Sequence, residues 1–262
     1  MRDIEDYEKK YLQEDFEEYQ VEFRRKKMIS VIKNHKSRAI LEIGCGMEPL
    51  FKYLPYEDYD EYTLIEPANA FYENALEESR KIYEGENKIC CLQAFFEDSQ
   101  KCRNMVNKHF ASTNVSGGGR IIVCSSLLHE VENPDEMVEA LYNVCDDKST
   151  VVVNVPNAFS FHRILSKCMN QITDVHEMSG RNISMQQHSV FDMKSLEEIF
   201  LKHGFSVIEK GSYFVKPFTH GQMLEMMKSK IINMSVLEGL YNMIEYLPDF
   251  GSEIYIVCKR NV

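Results

Sequence analysis

The stretch Ala39-Ile40-Leu41-Glu42-Ile43-Gly44-Cys45-Gly46 constrains this chain most. A short apolar run carrying one acid breaks into a glycine pair, which predicts a buried parallel strand entering a tight turn. Glycine suits that turn because, lacking Cβ, it admits positive φ and lets a ligand approach the main chain. About twenty residues later Tyr62-Thr63-Leu64-Ile65-Glu66-Pro67 repeats the pattern, a second strand ending in an acid. That is the spacing at which a βαβ unit holds a ribose. A pyrophosphate calls for a third glycine and a helix N-terminus without negative charge. Here Glu48 occupies the glycine position and Glu42 lies beside the same turn. A ligand with cationic groups, a ribose diol and no phosphate fits these acids better, and S-adenosylmethionine has that chemistry.

Ile40 to Gly46 resembles motif I of the class I S-adenosylmethionine-dependent methyltransferases, and Leu64 to Pro67 resembles their ribose-binding motif. Val123 to Pro134 resembles the fourth-strand motif of the ubiquinone-type small-molecule branch, and Val151 to Asn157 its fifth strand. The similarity runs from about Ala39 to Phe214 and includes the last strand, with Glu48 as the departure. The resemblance implies an α/β, Rossmann-like fold: a seven-stranded sheet, parallel except for its last strand, with helices on both faces and a helical cap. It implies S-adenosylmethionine as cofactor, held by Glu42, Gly44, Cys45, Gly46, Glu66, Pro67, Phe96, Glu97, Ser125, Ser126 and Leu127. At the adenine, Phe96 flanks the ring and Glu97 or Asp98 accepts its amino group, with Phe95 assigned to the core.

The expected organisation is a helical segment over 1–36, a cofactor-binding core over 37–156, a helical cap over 157–190, and the rest of the core over 191–262. The last part carries a second helical insertion at 219–247. Periodicity alone supports only alternating α and β elements. It predicts one or two amphipathic helices from about Tyr7 to Lys33, where Leu12, Phe16, Tyr19 and Phe23 recur at helical spacing. Met47 to Tyr53 reads as a short helix, Ala68 to Tyr83 as a helix stopped by Gly85, and Lys88 to Leu92 as the third strand. A polar helix through Phe110 and a flexible Ser116–Gly119 turn follow. Asn133-Pro134-Asp135-Glu136 is a strong helix start.

Charge limits the partners. The chain of 262 residues has 30 basic and 41 acidic side chains, a net charge of −11, and no lysine or arginine cluster free of acids. Nucleic-acid backbones call for a basic footprint, so a small-molecule acceptor is expected. No apolar leader or membrane-length run is present, which points to a cytoplasmic protein. Eight cysteines sit mostly in apolar segments without C-x-x-C spacing. They read as small buried hydrophobes, with no metal expected. Met223, Met227, Ile231, Met234, Tyr241 and Ile244 recur at helical spacing, a stripe suited to core or to a homodimer contact.

Methyl transfer from a sulfonium mainly requires alignment and removal of a proton. His129 is the leading candidate base because it follows strand four at the sheet edge and histidine titrates near neutrality. Glu130 either orients it or is surface, and His162 and His188 are alternatives. Arg163, Arg181 and Lys216 are candidates for an anionic part of the acceptor. Tyr19, Arg24 and Arg25 are candidate contacts from the N-terminal helix. The run Asn154 to Arg163 with Leu128 to Val131 resembles methyltransferases of bacterial capsule and lipopolysaccharide synthesis, which implies O-methylation of a sugar or nucleotide sugar. Two other readings stay open: a catalytically silent methyltransferase-like subunit, and an NAD-dependent dehydrogenase.

Overall fold

A computed structural model describes residues 3–11, 16–82, 88–97, 102, 104, 106 and 119–261. Leu12, Gly85, Asp98, the helix expected through Phe110 and most of the Ser116–Gly119 turn lie outside the described residues. Helices α1 (Ile4–Tyr11) and α2 (Glu17–His35) precede β1 (Ala39–Ile43). After β2 (Glu61–Ile65) come α3 (Asn69–Ile82), β3 (Ile89–Leu92), β4 (Arg120–Ser125), α4 (Pro134–Val144) and β5 (Thr150–Pro156). The rest comprises α5 (Phe161–Cys168), α6 (Gly180–Ser184), α7 (Met193–Lys202), β6 (Phe205–Tyr213), α8 (His220–Lys228), α9 (Met234–Asn242) and β7 (Glu253–Arg260).

The seven strands form one sheet in the order β3-β2-β1-β4-β5-β7-β6. Only β7 runs antiparallel to its neighbours, pairing with both β5 and β6. All five residues of β1 and of β2 are buried, as strands covered on both faces must be. The register aligns the carboxyl ends, since Ile43 pairs with Ile65 and Cys124, and Cys124 with Val153. Gly44, Glu66, Ser125 and Asn154 therefore leave the sheet at one level. The strand order reverses between β1 and β4, the place where open α/β sheets bind ligands.

Local signals explain the helix ends. The Asn133 side chain accepts from the Asp135 N–H at 3.2 Å, ahead of Pro134 in the first turn of α4. Asp192 and Ser195 form a reciprocal capping box on α7, and Gly204, at φ 82°, follows its C-terminus. Glu48 opens no α-helix. Its carboxylate takes Lys52 and the Tyr53 hydroxyl at 2.9 and 2.8 Å, and the chain makes 3₁₀ turns at Leu50–Tyr53 and Tyr56–Asp58.

The two sheet faces have different covers. Leu141 of α4 and Phe200 of α7 pack on one; Phe23 of α2, Met223 of α8 and Leu237 of α9 pack on the other. The methionine stripe is thus divided between two short helices. Met223 is fully buried and Met227 half-buried against the α2 cluster, so this side serves the chain's own core and lends the homodimer expectation no support. Ile231 and Met234 are exposed. Seven of the eight cysteines are buried or half-buried, and Cys168 is exposed. No described helix is long and apolar enough to cross a membrane.

Candidate active site

Two cavities meet at the carboxyl ends of β1, β2 and β4. The larger, about 740 Å³, runs from Gly44 and Pro67 past Phe95, Phe96 and Glu97 to Glu130 and His188. The smaller, about 60 Å³, lies between Gly44-Cys45-Gly46, Glu66, Ser125-Ser126 and Arg24-Arg25 of α2. Gly44, Pro67, Leu127 and Glu130 line both.

The glycine pair is needed for its backbone. Gly44 and Gly46 have φ of 71° and 56°, and a Cβ on Gly44 would meet Leu127 Cδ2 at 3.0 Å. Glu66 joins the two turns. One carboxylate oxygen accepts from the Gly46 N–H at 3.2 Å and the other from the Ala68 N–H at 2.9 Å. The oxygen facing Gly46 also takes the Cys45 thiol at 3.8 Å.

Glu42 lines neither cavity. It is fully buried, accepts from the Tyr62 hydroxyl at 2.5 Å and the Leu50 N–H at 3.1 Å, and has Arg25 Nη1 at 3.7 Å. Burial raises its pKa, against the pull of Arg25, Tyr62 and Leu50. Its place is beneath the turn, as a brace. The two phenylalanines also depart from expectation. Phe95, assigned to the core, is 37% exposed and lines the larger cavity, while Phe96 lines it from the core at 3%.

The three candidate histidines do not form one cluster. His129 is buried, its Nε2 is 3.8 Å from Glu130 Oε1, and its carbonyl accepts from the N–H groups of His188 and Ser189. His188 lines the larger cavity; His129 and His162 line neither. His162 sits instead with a buried polar group under α2 and α8. Burial, and then the nearby Lys216, His220 and Arg163, drops its pKa well below the usual histidine range.

That group was missed by the sequence reading. Glu253, fully buried, accepts from Arg24 Nη2 at 2.6 Å, Gln20 Nε2 at 2.8 Å, Asn154 Nδ2 at 2.6 Å and the Tyr213 hydroxyl at 2.5 Å. Lys216 donates to Gln20 at 3.1 Å and meets His220 Nδ1 at 2.9 Å, while His220 Nε2 meets Glu17 at 3.3 Å. An acid at the start of a final strand and an arginine in an early helix carry no local signal that they meet. Arg163 uses its guanidinium to hold the Val175 and Glu177 carbonyls at 2.8 and 2.5 Å, bracing the segment after α5. Arg181 stands exposed at the start of α6, close enough to influence Glu17 and His220.

With this geometry, the comparisons give the class. Residues 16–210 match the methyltransferase domain family, and the chain belongs to it. It is an S-adenosylmethionine-dependent methyltransferase, at the level of class and not of branch. Among solved structures it is similar to magnesium protoporphyrin IX methyltransferase from Synechocystis, with S-adenosylhomocysteine bound, at 11% identity and TM-score 0.55, over 91% of this chain and 84% of that one. It is also similar to a plantazolicin methyltransferase at 16% identity and TM-score 0.54, over 94% and 88%. A [4+2]-cyclase aligns at 10% identity and TM-score 0.55, over 90% and 81%, so the fold alone does not specify the reaction. Among curated proteins the sequence has no match.

Proposed function

We propose that the protein is an O-methyltransferase acting on a small polar metabolite, a sugar or nucleotide sugar that is a precursor of a cell-surface polysaccharide. The observation carrying this reading is the junction of the two cavities along Gly44, Pro67, Leu127 and Glu130, with Glu66 tying both turns. The residues fit S-adenosylmethionine. Glu66 serves the ribose diol, and Phe95, Phe96 and Glu97 serve the adenine. Arg25, whose buried Nε and Nη1 have no hydrogen-bond partner among the described residues, serves the carboxylate of the amino-acid tail. Bound there, the cofactor supplies a methyl group on a sulfonium, and its transfer to a hydroxyl leaves a neutral thioether and releases one proton. Glu130 takes that proton in this reading, supported by its lining both cavities and by His129 at 3.8 Å. The sugar assignment rests on the resemblance of Asn154 to Arg163 to capsule and lipopolysaccharide methyltransferases.

Incubating the purified protein with methyl-labelled S-adenosylmethionine and a small-molecule extract of its source cells tests this. A labelled sugar phosphate or nucleotide sugar is expected. A labelled phenol or amine would reassign the acceptor, and failure to bind S-adenosylhomocysteine would overturn the reading.

A further inference from the structure

Six side chains beneath α2 close into a ring. Arg24 Nη2 donates to Glu253 at 2.6 Å and to Glu17 at 2.9 Å. The other Glu17 oxygen meets His220 Nε2 at 3.3 Å, and His220 Nδ1 meets Lys216 Nζ at 2.9 Å. Lys216 also donates to the Gln20 oxygen at 3.1 Å, and Gln20 Nε2 returns to Glu253 at 2.8 Å. The ring has a direction. An ammonium only donates and a carboxylate only accepts, so His220 accepts from Lys216 at Nδ1 and donates to Glu17 from Nε2, a neutral imidazole in one tautomer. Burial and the adjacent Lys216 hold its pKa below the usual histidine range, which agrees with that state.

Glu17, Gln20 and Arg24 recur on α2 at helical spacing, so the ring grips one face of the helix. Arg25 is one position further on, about 100° round the axis, and lines the smaller cavity. It gives Nη2 to the Cys45 carbonyl at 2.8 Å, while its buried Nε and Nη1 have no hydrogen-bond partner among the described residues. We infer that His220 is a positioning residue for the methyl donor: by closing the ring it fixes the rotation of α2 and so aims Arg25 at the carboxylate of the donor's amino-acid tail. This rests on the assignment of Arg25 to that carboxylate. His220 lines neither cavity and acts through Glu17 and Arg24. A charged hydrogen bond is sensitive to direction, so a small turn of α2 costs tail binding and leaves the adenosine contacts of Glu66, Phe95 and Phe96 alone.

The test is calorimetry on the full chain with S-adenosylhomocysteine and with methylthioadenosine, which keeps the adenosine and the thioether and lacks the tail. The readout is the ratio of the two affinities, taken where each variant is folded. In the unaltered protein S-adenosylhomocysteine should bind about tenfold more tightly or better, and Arg25→Gln sets the ratio without the carboxylate contact. His220→Phe keeps a ring for the edge contact with Phe16 and loses both the donor and the acceptor. It should lower the ratio about fivefold with methylthioadenosine affinity unchanged. His220→Gln, whose amide both donates and accepts, should restore most of the ratio. The inference is overturned if His220→Phe lowers the melting midpoint and leaves the ratio as it was, the mark of a ring that only stabilises. It is equally overturned if both ligands weaken together, or if folded His220→Gln restores nothing. A ratio near one in the unaltered protein instead removes the Arg25 assignment, and binding of neither ligand removes the cofactor site itself, each taking the inference with it.

Discussion

Glu42 and Glu253 are both fully buried, and each has an arginine from α2 beside it, yet they ionise in opposite directions. Burial pushes Glu42 up, and its partner Arg25 stands off at 3.7 Å while giving a hydrogen bond to the Cys45 carbonyl at 2.8 Å. Burial acts on Glu253 too, but Arg24 brings Nε to both oxygens at 3.0 Å and Nη2 to 2.6 Å, and the carboxyl is held below its ordinary range. In a closed interior, contact through a shared proton outweighs mere nearness of charge. The group around Glu253 is thereby ionic, and the floor beneath the glycine turn is closer to neutral.

Breaking the stronger pair gives the largest expected effect. Arg24→Ala leaves Glu253 buried without its cation and should cost about 3–5 kcal/mol in urea unfolding. A loss below 1 kcal/mol would erase the contrast with Glu42. Glu66 is a third buried acid, held by the Gly46 and Ala68 N–H groups. Glu66→Ala should weaken S-adenosylhomocysteine binding by about 1.5–3 kcal/mol, read by calorimetry. Unchanged affinity would remove the ribose assignment.

Acid should sharpen the comparison further. His162 and His220 are both depressed, chiefly by burial and then by Lys216, so the unfolded chain binds protons that the folded one refuses. Their stabilising share is complete above about pH 6.5 and is lost as pH falls below it, by about 1 kcal/mol per histidine over the first unit. Glu42, being raised, works in the opposite sense, regaining stability as it protonates. Unfolding measured at pH 7.5 and 5.5 should show a net loss that His162→Gln reduces; an equal slope in the variant would contradict the burial assignment. The smallest effect belongs to Glu42→Gln. An amide oxygen still accepts from Tyr62 and Leu50, and the cost should stay below about 1 kcal/mol, checked by the same melts.

The sheet was legible because its signals are local. The apolar runs of β1, β2, β4 and β5, the turn glycines and the Asn133-Pro134 start each state their structure within a few residues. Side-chain assignments held less well, since an acid at a strand end reads alike whether it lines a cavity, as Glu66 does, or meets a buried tyrosine, as Glu42 does. Arg163 was a candidate to bind an anion and is spent on the Val175 and Glu177 carbonyls. The Glu253 group was invisible because its members come together only when the last strand enters the sheet.

That late entry has a kinetic meaning. Arg24 and Glu253 are 229 residues apart in sequence, so during synthesis α2 emerges long before its anchor exists. At about 5–20 residues per second it waits roughly 10–50 s. Through that interval Arg24 lacks Glu253 and Phe23 lacks Phe214 and Tyr241, whereas Arg25 meets Glu42 and Cys45 soon after α2 is made. The smaller cavity, walled by the same helix through Arg24 and Arg25, is among the last parts of the molecule to be completed.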